Sequence, residues 1–192
     1  MIKTKPVAAA SEEAATVLSG PVKRIFIVQR HLDTILHYDF RISLNGALKS
    51  WAMPSGPSMN PDDRRLAIAT ADKPMSYASG RKSHLADGVF EMWDKGLLMP
   101  HSVYSSGCTD DDVECQLREG RLRFTLKGKK LKGVFSLIRI NGDQSKNWLL
   151  IKGNDKFAVS FNYNTDHFIN PTSIINRIIR HRVIADGSRD GL

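Results

Sequence analysis

Between Leu36 and Met53 the pattern of residues admits little besides a β-hairpin. Tyr38, Phe40, Ile42 and Leu44 alternate with His37, Asp39, Arg41 and Ser43. That period of two places successive side chains on opposite faces of a strand. Asn45-Gly46 follows, a pair suited to a type I′ turn because both central positions of that turn need positive φ. Counting back from the turn sets Leu44 opposite Ala47, Ile42 opposite Lys49, Arg41 opposite Ser50 and Phe40 opposite Trp51. Phe40 and Trp51 make a good apolar pair, whereas Lys49 against Ile42 is a poor match.

The polar face of this strand is unusual. An ordinary wet face would carry Ser, Thr or Lys; here an imidazole, a carboxylate and a guanidinium follow one another at His37, Asp39 and Arg41. His31 can join them if residues 32–36 bend or form a short turn. Two imidazoles and a carboxylate would bind Mn, Fe, Zn or Co and leave positions open for water and substrate. Arg41 beside them offers a planar fork for a phosphate. A Lewis-acidic metal next to such a cation describes phosphoester hydrolysis. Spacing alone also permits a plain Asp39–Arg41 salt bridge on a solvated strand. An iron-oxygenase triad is a third reading, although its usual pattern of His-x-Asp followed by a distant His is not what appears here.

Around this hairpin the chain reads as one domain with tails. Residues 1–23 form a small, polar N-terminal tail, residues 24–157 the domain, and residues 158–192 a C-terminal extension. Strands are expected at Arg24–Arg30, Arg65–Thr70, Gly88–Trp93, Arg121–Leu126, Gly133–Ile140 and Asn147–Lys152, each β-branched, aromatic or alternating. Asp72–Ser83 reads as loop, interrupted by Lys73-Pro74 and Ser79-Gly80. Thr109–Asp112 and Gly120 bracket a short helix over Val113–Glu119. Ile174, Ile175, Ile178 and Ile179 predict an amphipathic helix with Pro171 in its first turn. So many short strands predict a mainly β fold, a compact antiparallel barrel with few helices.

The net charge of +8 and pI near 9.6 favour a polyanionic partner, nucleic acid above all. No run of about 18 apolar residues occurs, so a soluble, cytoplasmic protein without membrane partners is expected. Cys108 and Cys115 are too few for a disulfide framework and read as reduced thiols.

Several segments carry a family likeness. Phe26-Ile-Val-Gln29-Arg-His31, Leu36-His37-Tyr-Asp39-Phe-Arg41-Ile and Leu48-Lys-Ser-Trp51-Ala-Met-Pro54-Ser-Gly56-Pro57 resemble the 3′-phosphoesterase domain of bacterial and archaeal DNA ligase D. The likeness continues through Arg64-Arg65-Leu66-Ala67, Asp72-Lys-Pro74, Tyr77-Ala78 and Trp93-Asp94-Lys-Gly96 to Trp148-Leu-Leu-Ile-Lys152. It implies a compact β-barrel that trims 3′ DNA ends in end-joining repair, using manganese to remove a terminal ribonucleotide and then the 3′-phosphate. It further implies that His31, His37 and Asp39 hold the metal and that Arg41 grips the scissile phosphate. Gln29, Arg65 and Tyr77 would lie in the same groove. The partners implied are the 3′ ends of primer-template DNA and, since no Lys-x-Asp-Gly ligase motif occurs, a separate ATP-dependent ligase or end-joining factor.

The chain departs from the family pattern at four places. Lys73 stands where the family has a histidine that acts on phosphate, and lysine holds its proton too tightly to donate it well at neutral pH. The loop at Ser79–Asp87 is shortened, Ser55 replaces a common lysine, and residues 1–23 lack the family's acidic segment. Altered or reduced turnover is therefore expected, with Arg41, Lys73 and Tyr77 as catalytic candidates. The competing reading is a catalytically silent module that binds DNA ends. Lys127, Lys129, Lys130 and Lys132 cluster at a turn, suited either to a solvated hairpin tip or to backbone phosphates. His84 could swing in to replace the missing histidine, but an exposed loop residue is the simpler reading. His101 and His167 are expected at the surface, and Trp51, Trp93 and Trp148 in the core.

Overall fold

A computed structural model of the chain describes residues 23–79, 88–101 and 113–187. Eight antiparallel strands close into a barrel: β1 (Arg24–Leu32), β2 (Leu36–Leu44), β3 (Ala47–Met53), β4 (Arg64–Pro74), β5 (Val89–Pro100), β6 (Arg121–Lys127), β7 (Lys132–Arg139) and β8 (Asn147–Lys152). Their order around the wall is β1-β2-β3-β4-β8-β7-β6-β5, with β5 returning to pair with β1. A 3₁₀ turn (Met75–Ser79) follows β4, α1 (Val113–Arg118) precedes β6, and α2 (Ile174–Gly187) ends the described chain.

The hairpin register is the one the sequence predicts. Leu44 pairs with Ala47, Arg41 with Ser50 and Phe40 with Trp51, and Asn45 and Gly46 take φ of 48° and 77°. Tyr38, Phe40 and Ile42 point into a core with Phe26, Phe124, Phe135, Leu122 and Leu137. Phe124 lies between Phe40 and Phe135 at ring distances of 6.2 and 6.3 Å. Trp51, Trp93 and Trp148 are buried, as expected.

The poor match at Lys49 is resolved by a β-bulge. Leu48 pairs with Lys73 and Ser50 with Thr70, so two residues of β4, Ala71 and Asp72, face Lys49 alone. The extra residue turns Asp72 toward the lysine, and Lys49 Nζ lies 2.8 Å from Asp72 Oδ2.

The same bulge corrects the reading of Asp72–Ser83 as loop. β4 continues to Pro74, because a bulge accommodates the charged pair without ending the ladder and Pro74 sits at the strand's last position, where a missing N–H is tolerated. Pro171 lies outside α2. Ser173 precedes the helix, and its Oγ accepts from Asn176 N at 3.1 Å. His101 is half-buried, 2.7 Å from Thr125 Oγ1. Cys115 is disulfide-bonded and not a free thiol. Cys108, the only other cysteine, and the proposed cap at Thr109–Asp112 lie outside the described residues, as does His84. A count of cysteines by itself does not separate a thiol from a disulfide. Among the described residues no helix is long and apolar enough to cross a membrane.

Candidate metal centre on the outer face of the barrel

The candidate site is on the outward face of the wall, where β1, β2, β3 and β5 run side by side. Because Tyr38, Phe40 and Ile42 face inward, His37, Asp39 and Arg41 face outward by alternation. The link between β1 and β2 is only residues 33–35, tightened by the Asp33 carboxylate, which accepts from Ile35 N at 3.0 Å. So short a turn makes His31 and His37 direct cross-strand partners, with ring centroids 4.6 Å apart. Asp39, two residues along β2, completes the group.

His31 Nδ1 lies 3.1 Å from Asp39 Oδ2, and His37 Nε2 lies 3.7 Å from Asp39 Oδ1. One donor atom from each residue falls within 4.8 Å of the others. His37 Nδ1 is 2.9 Å from the Ile35 carbonyl, which that nitrogen can satisfy only as a donor. The partnership leaves Nε2, the nitrogen facing Asp39, with its lone pair for a metal. Phe90 backs His31 at a ring distance of 4.2 Å. Gly88, with φ of 81°, passes so close that a Cβ there would lie 2.9 Å from His31 Nε2 and 2.5 Å from the Leu32 carbonyl.

Three side chains hold Arg41, which is buried. Its Nη2 donates to Asp39 Oδ2 at 2.8 Å, its Nη1 to Gln29 Oε1, and its Nε to Ser50 Oγ at 3.2 Å. Ser50 in turn donates to the Leu48 carbonyl at 3.0 Å, and Gln29 Nε2 donates to the Tyr77 carbonyl at 3.2 Å. One N–H on each terminal nitrogen of Arg41 remains for a ligand. The Tyr77 ring lies 5.5 Å from both the Arg41 guanidinium and Lys73 Nζ, a placement the ring quadrupole favours.

These contacts shape the charges. Burial alone would raise the Asp39 pKa, but the two imidazoles beside it and the Arg41 charge outweigh it and hold the carboxyl well below its usual range. The hydrogen bond to Asp39 raises the His37 pKa against the opposing effect of burial. Arg41 already pairs with one oxygen of Asp39, and the remaining donors, two imidazoles and a carboxylate within 4.8 Å of one another, form a set that manganese, iron, zinc and cobalt all accept.

A cavity of about 310 Å³ opens over the group and is lined also by Thr70 and Lys73. His31, His37, Asp39, Arg41, Gln29, Lys73 and Tyr77 are thus brought together. Arg65 lies elsewhere, donating to Asp63 at 2.7 Å and to the Tyr163 and Ser55 carbonyls. Lys127 and Lys129 are exposed on the β6–β7 turn, whose backbone amides at Lys129, Lys130 and Leu131 converge on Asp94. Lys130 rests over Trp93, 4.6 Å from its ring centroid. None of these four cations lines the cavity. Ser50, Phe90 and Gly88 are the members that sequence reasoning passes over. Ser50 is readable from the hairpin register opposite Arg41; the other two arrive from β5, which no local pattern ties to His31.

A family model described as the DNA ligase D 3′-phosphoesterase domain matches residues 29–139, more than half the chain. The multifunctional non-homologous end joining protein LigD of Pseudomonas aeruginosa is 41% identical over 141 residues, covering 70% of this chain and 16% of that one. The corresponding DNA repair protein of Mycobacterium tuberculosis is 33% identical over 128 residues, 65% of this chain and 15% of the relative. That of Mycolicibacterium smegmatis is 30% identical over 135 residues, 68% and 17% respectively. The chain therefore spans about a sixth of the length of these relatives.

Proposed function

The chain belongs to the DNA ligase D 3′-phosphoesterase domain family, and from that premise we propose that it removes a 3′-terminal ribonucleotide or 3′-phosphate from DNA ends in a metal-dependent reaction. The observation that carries the reading is the convergence of His31, His37 and Asp39 beside an arginine with donors to spare. Manganese, held by those three residues, would supply Lewis acidity toward a phosphoryl oxygen. Arg41 directs its remaining N–H groups at the phosphate, pre-set by Gln29, Ser50 and Asp39 so that little side-chain freedom is lost on binding. Gln29 also ties the 3₁₀ turn to the floor through the Tyr77 carbonyl. Lys73 adds positive charge at the rim, where an ammonium acts on phosphate as a point charge and not as a proton donor.

Lys73 also favours a second reading, a DNA-end-binding module of end joining that retains the barrel and lacks turnover. A primer-template ending in one ribonucleotide, or in a 3′-phosphate, separates the two when incubated with and without manganese. The hydrolase reading expects trimming that needs the metal and is lost in His37→Ala. Tight binding of the duplex with no trimming under any divalent ion would support the silent module. Action alongside a separate ATP-dependent ligase or end-joining factor belongs to the same proposal, as does the contact of Arg65, Lys127, Lys129 and Lys130 with the DNA backbone.

A further inference from the structure

A second cavity, of about 350 Å³, adjoins the candidate centre at the β3–β4 edge of the barrel. We infer that this cavity receives the nucleobase of the 3′-terminal nucleotide while its phosphate occupies the metal-side pocket. The inference rests on the phosphoesterase reading and adds to it a subsite for the leaving nucleoside.

Continuity is the first ground. Thr70 lines both cavities, and Ser50, which lines the second, accepts from Nε of the phosphate-facing Arg41 at 3.2 Å. The two spaces thus share Thr70 as a wall and are linked through Ser50.

Chemistry is the second. The floor is apolar and aromatic: Trp51 and Trp148 meet edge to face at a ring distance of 6.0 Å, with Leu117 beside them. The rim carries two cations, Lys49 and Arg118, and two carboxylates, Asp72 and Glu114. A charge-balanced rim over an aromatic floor suits a neutral, planar heterocycle with donors and acceptors on its edge, and gives an extra phosphate no advantage.

The wall is also held in place. Glu114, Leu117 and Arg118 fall on one face of α1 by their i, i+3, i+4 spacing. That helix is tied to the β2–β3 turn by Asn45 Nδ2 donating to Glu114 Oε2 at 2.7 Å. An end nucleotide is the natural occupant, since a base at a strand terminus leaves its stack more cheaply than an internal one.

The test compares primer-templates whose 3′-terminal ribonucleotide carries a base or is abasic. With the wild-type protein and manganese, KM should be about tenfold higher for the abasic end, the size of one base contact. Leu117→Trp, which fills the cavity, should lose that preference while processing the abasic end as the wild type does. Equal KM for the two ends would overturn the subsite and leave the phosphoesterase reading standing. If neither end is trimmed, the phosphoesterase reading fails separately, and equilibrium binding of the two ends then decides the subsite: about tenfold tighter binding of the base-bearing end supports it, and equal binding refutes it. Should Leu117→Trp fail to fold, Arg118→Ala at the exposed rim takes its place, with the same preference expected to weaken.

Discussion

At the residue scale, Asp39 is the pivot. It meets His31, His37 and Arg41 through its two oxygens, so the candidate metal ligands and the cation proposed to face the phosphate share one anion. Proton and metal therefore compete at His37. The raised pKa of that imidazole means the proton is held above the ordinary 6.5, and manganese affinity should fall on acidification from a higher pH than an unperturbed imidazole would set. Calorimetric titration of manganese across about pH 5 to 8.5 should show this weakening. The sign for the metal-free fold is the reverse. A raised His37 pKa contributes stability that is complete below 6.5 and is lost as pH rises through the folded-state value. Asp39, with its lowered pKa, contributes stability present above 3.8 that is lost only as pH falls toward its folded-state value. Lys73 is the second point at this scale. Lys73→His should raise 3′-phosphatase turnover by about tenfold or more, because an imidazole can donate the proton that lysine retains. No gain on a 3′-phosphate primer would contradict a proton-donor role for this position.

At the scale of elements, two glycines with positive φ do different work. Gly46 is needed only for the turn, since a Cβ at that position would meet nothing within 4 Å. Gly46→Ala should cost about 1 kcal/mol in a urea melt and leave manganese binding unchanged. Gly88 is needed for space, because its missing Cβ is what lets the chain pass over His31. Gly88→Ala should weaken manganese binding well beyond any loss of stability, and equal metal affinity in the two variants would contradict this role. The bulge in β4 shows the same economy: one extra residue pairs Lys49 with Asp72 and carries the strand on to Lys73, which then reaches the rim.

At the scale of the whole molecule, the site depends on barrel closure. β5 must return to β1 before Phe90 can back His31 and before Gly88 can pass beside it. Closure rests on the stacked aromatic core. Phe124→Ala, removing a fully buried ring from between Phe40 and Phe135, should cost about 3–5 kcal/mol by denaturant melting. It should leave manganese affinity near wild type wherever the variant remains folded, because the ring faces away from the metal group. The C-terminal extension bears on the same architecture from the barrel's end. Arg30 donates to Asn176 at 2.7 Å, and Tyr38 to Asp166 at 2.6 Å. Those contacts join it to the barrel that carries the site.

The residues alone determined the hairpin, its register, the polar face of β2 and the presence of a barrel, because alternation and turn chemistry are local and leave their mark on neighbouring letters. They also placed Ser50 opposite Arg41, whereas its hydrogen bond to the guanidinium came only with the structure. Tertiary structure decided that this polar face is largely enclosed instead of wet, that Gly88 and Phe90 belong to the site, and that Arg65 and the β6–β7 lysines stand apart from it. Those outcomes depend on which strands meet when the sheet closes on itself. The β1–β5 contact spans about half of the domain, and no spacing within either strand records it.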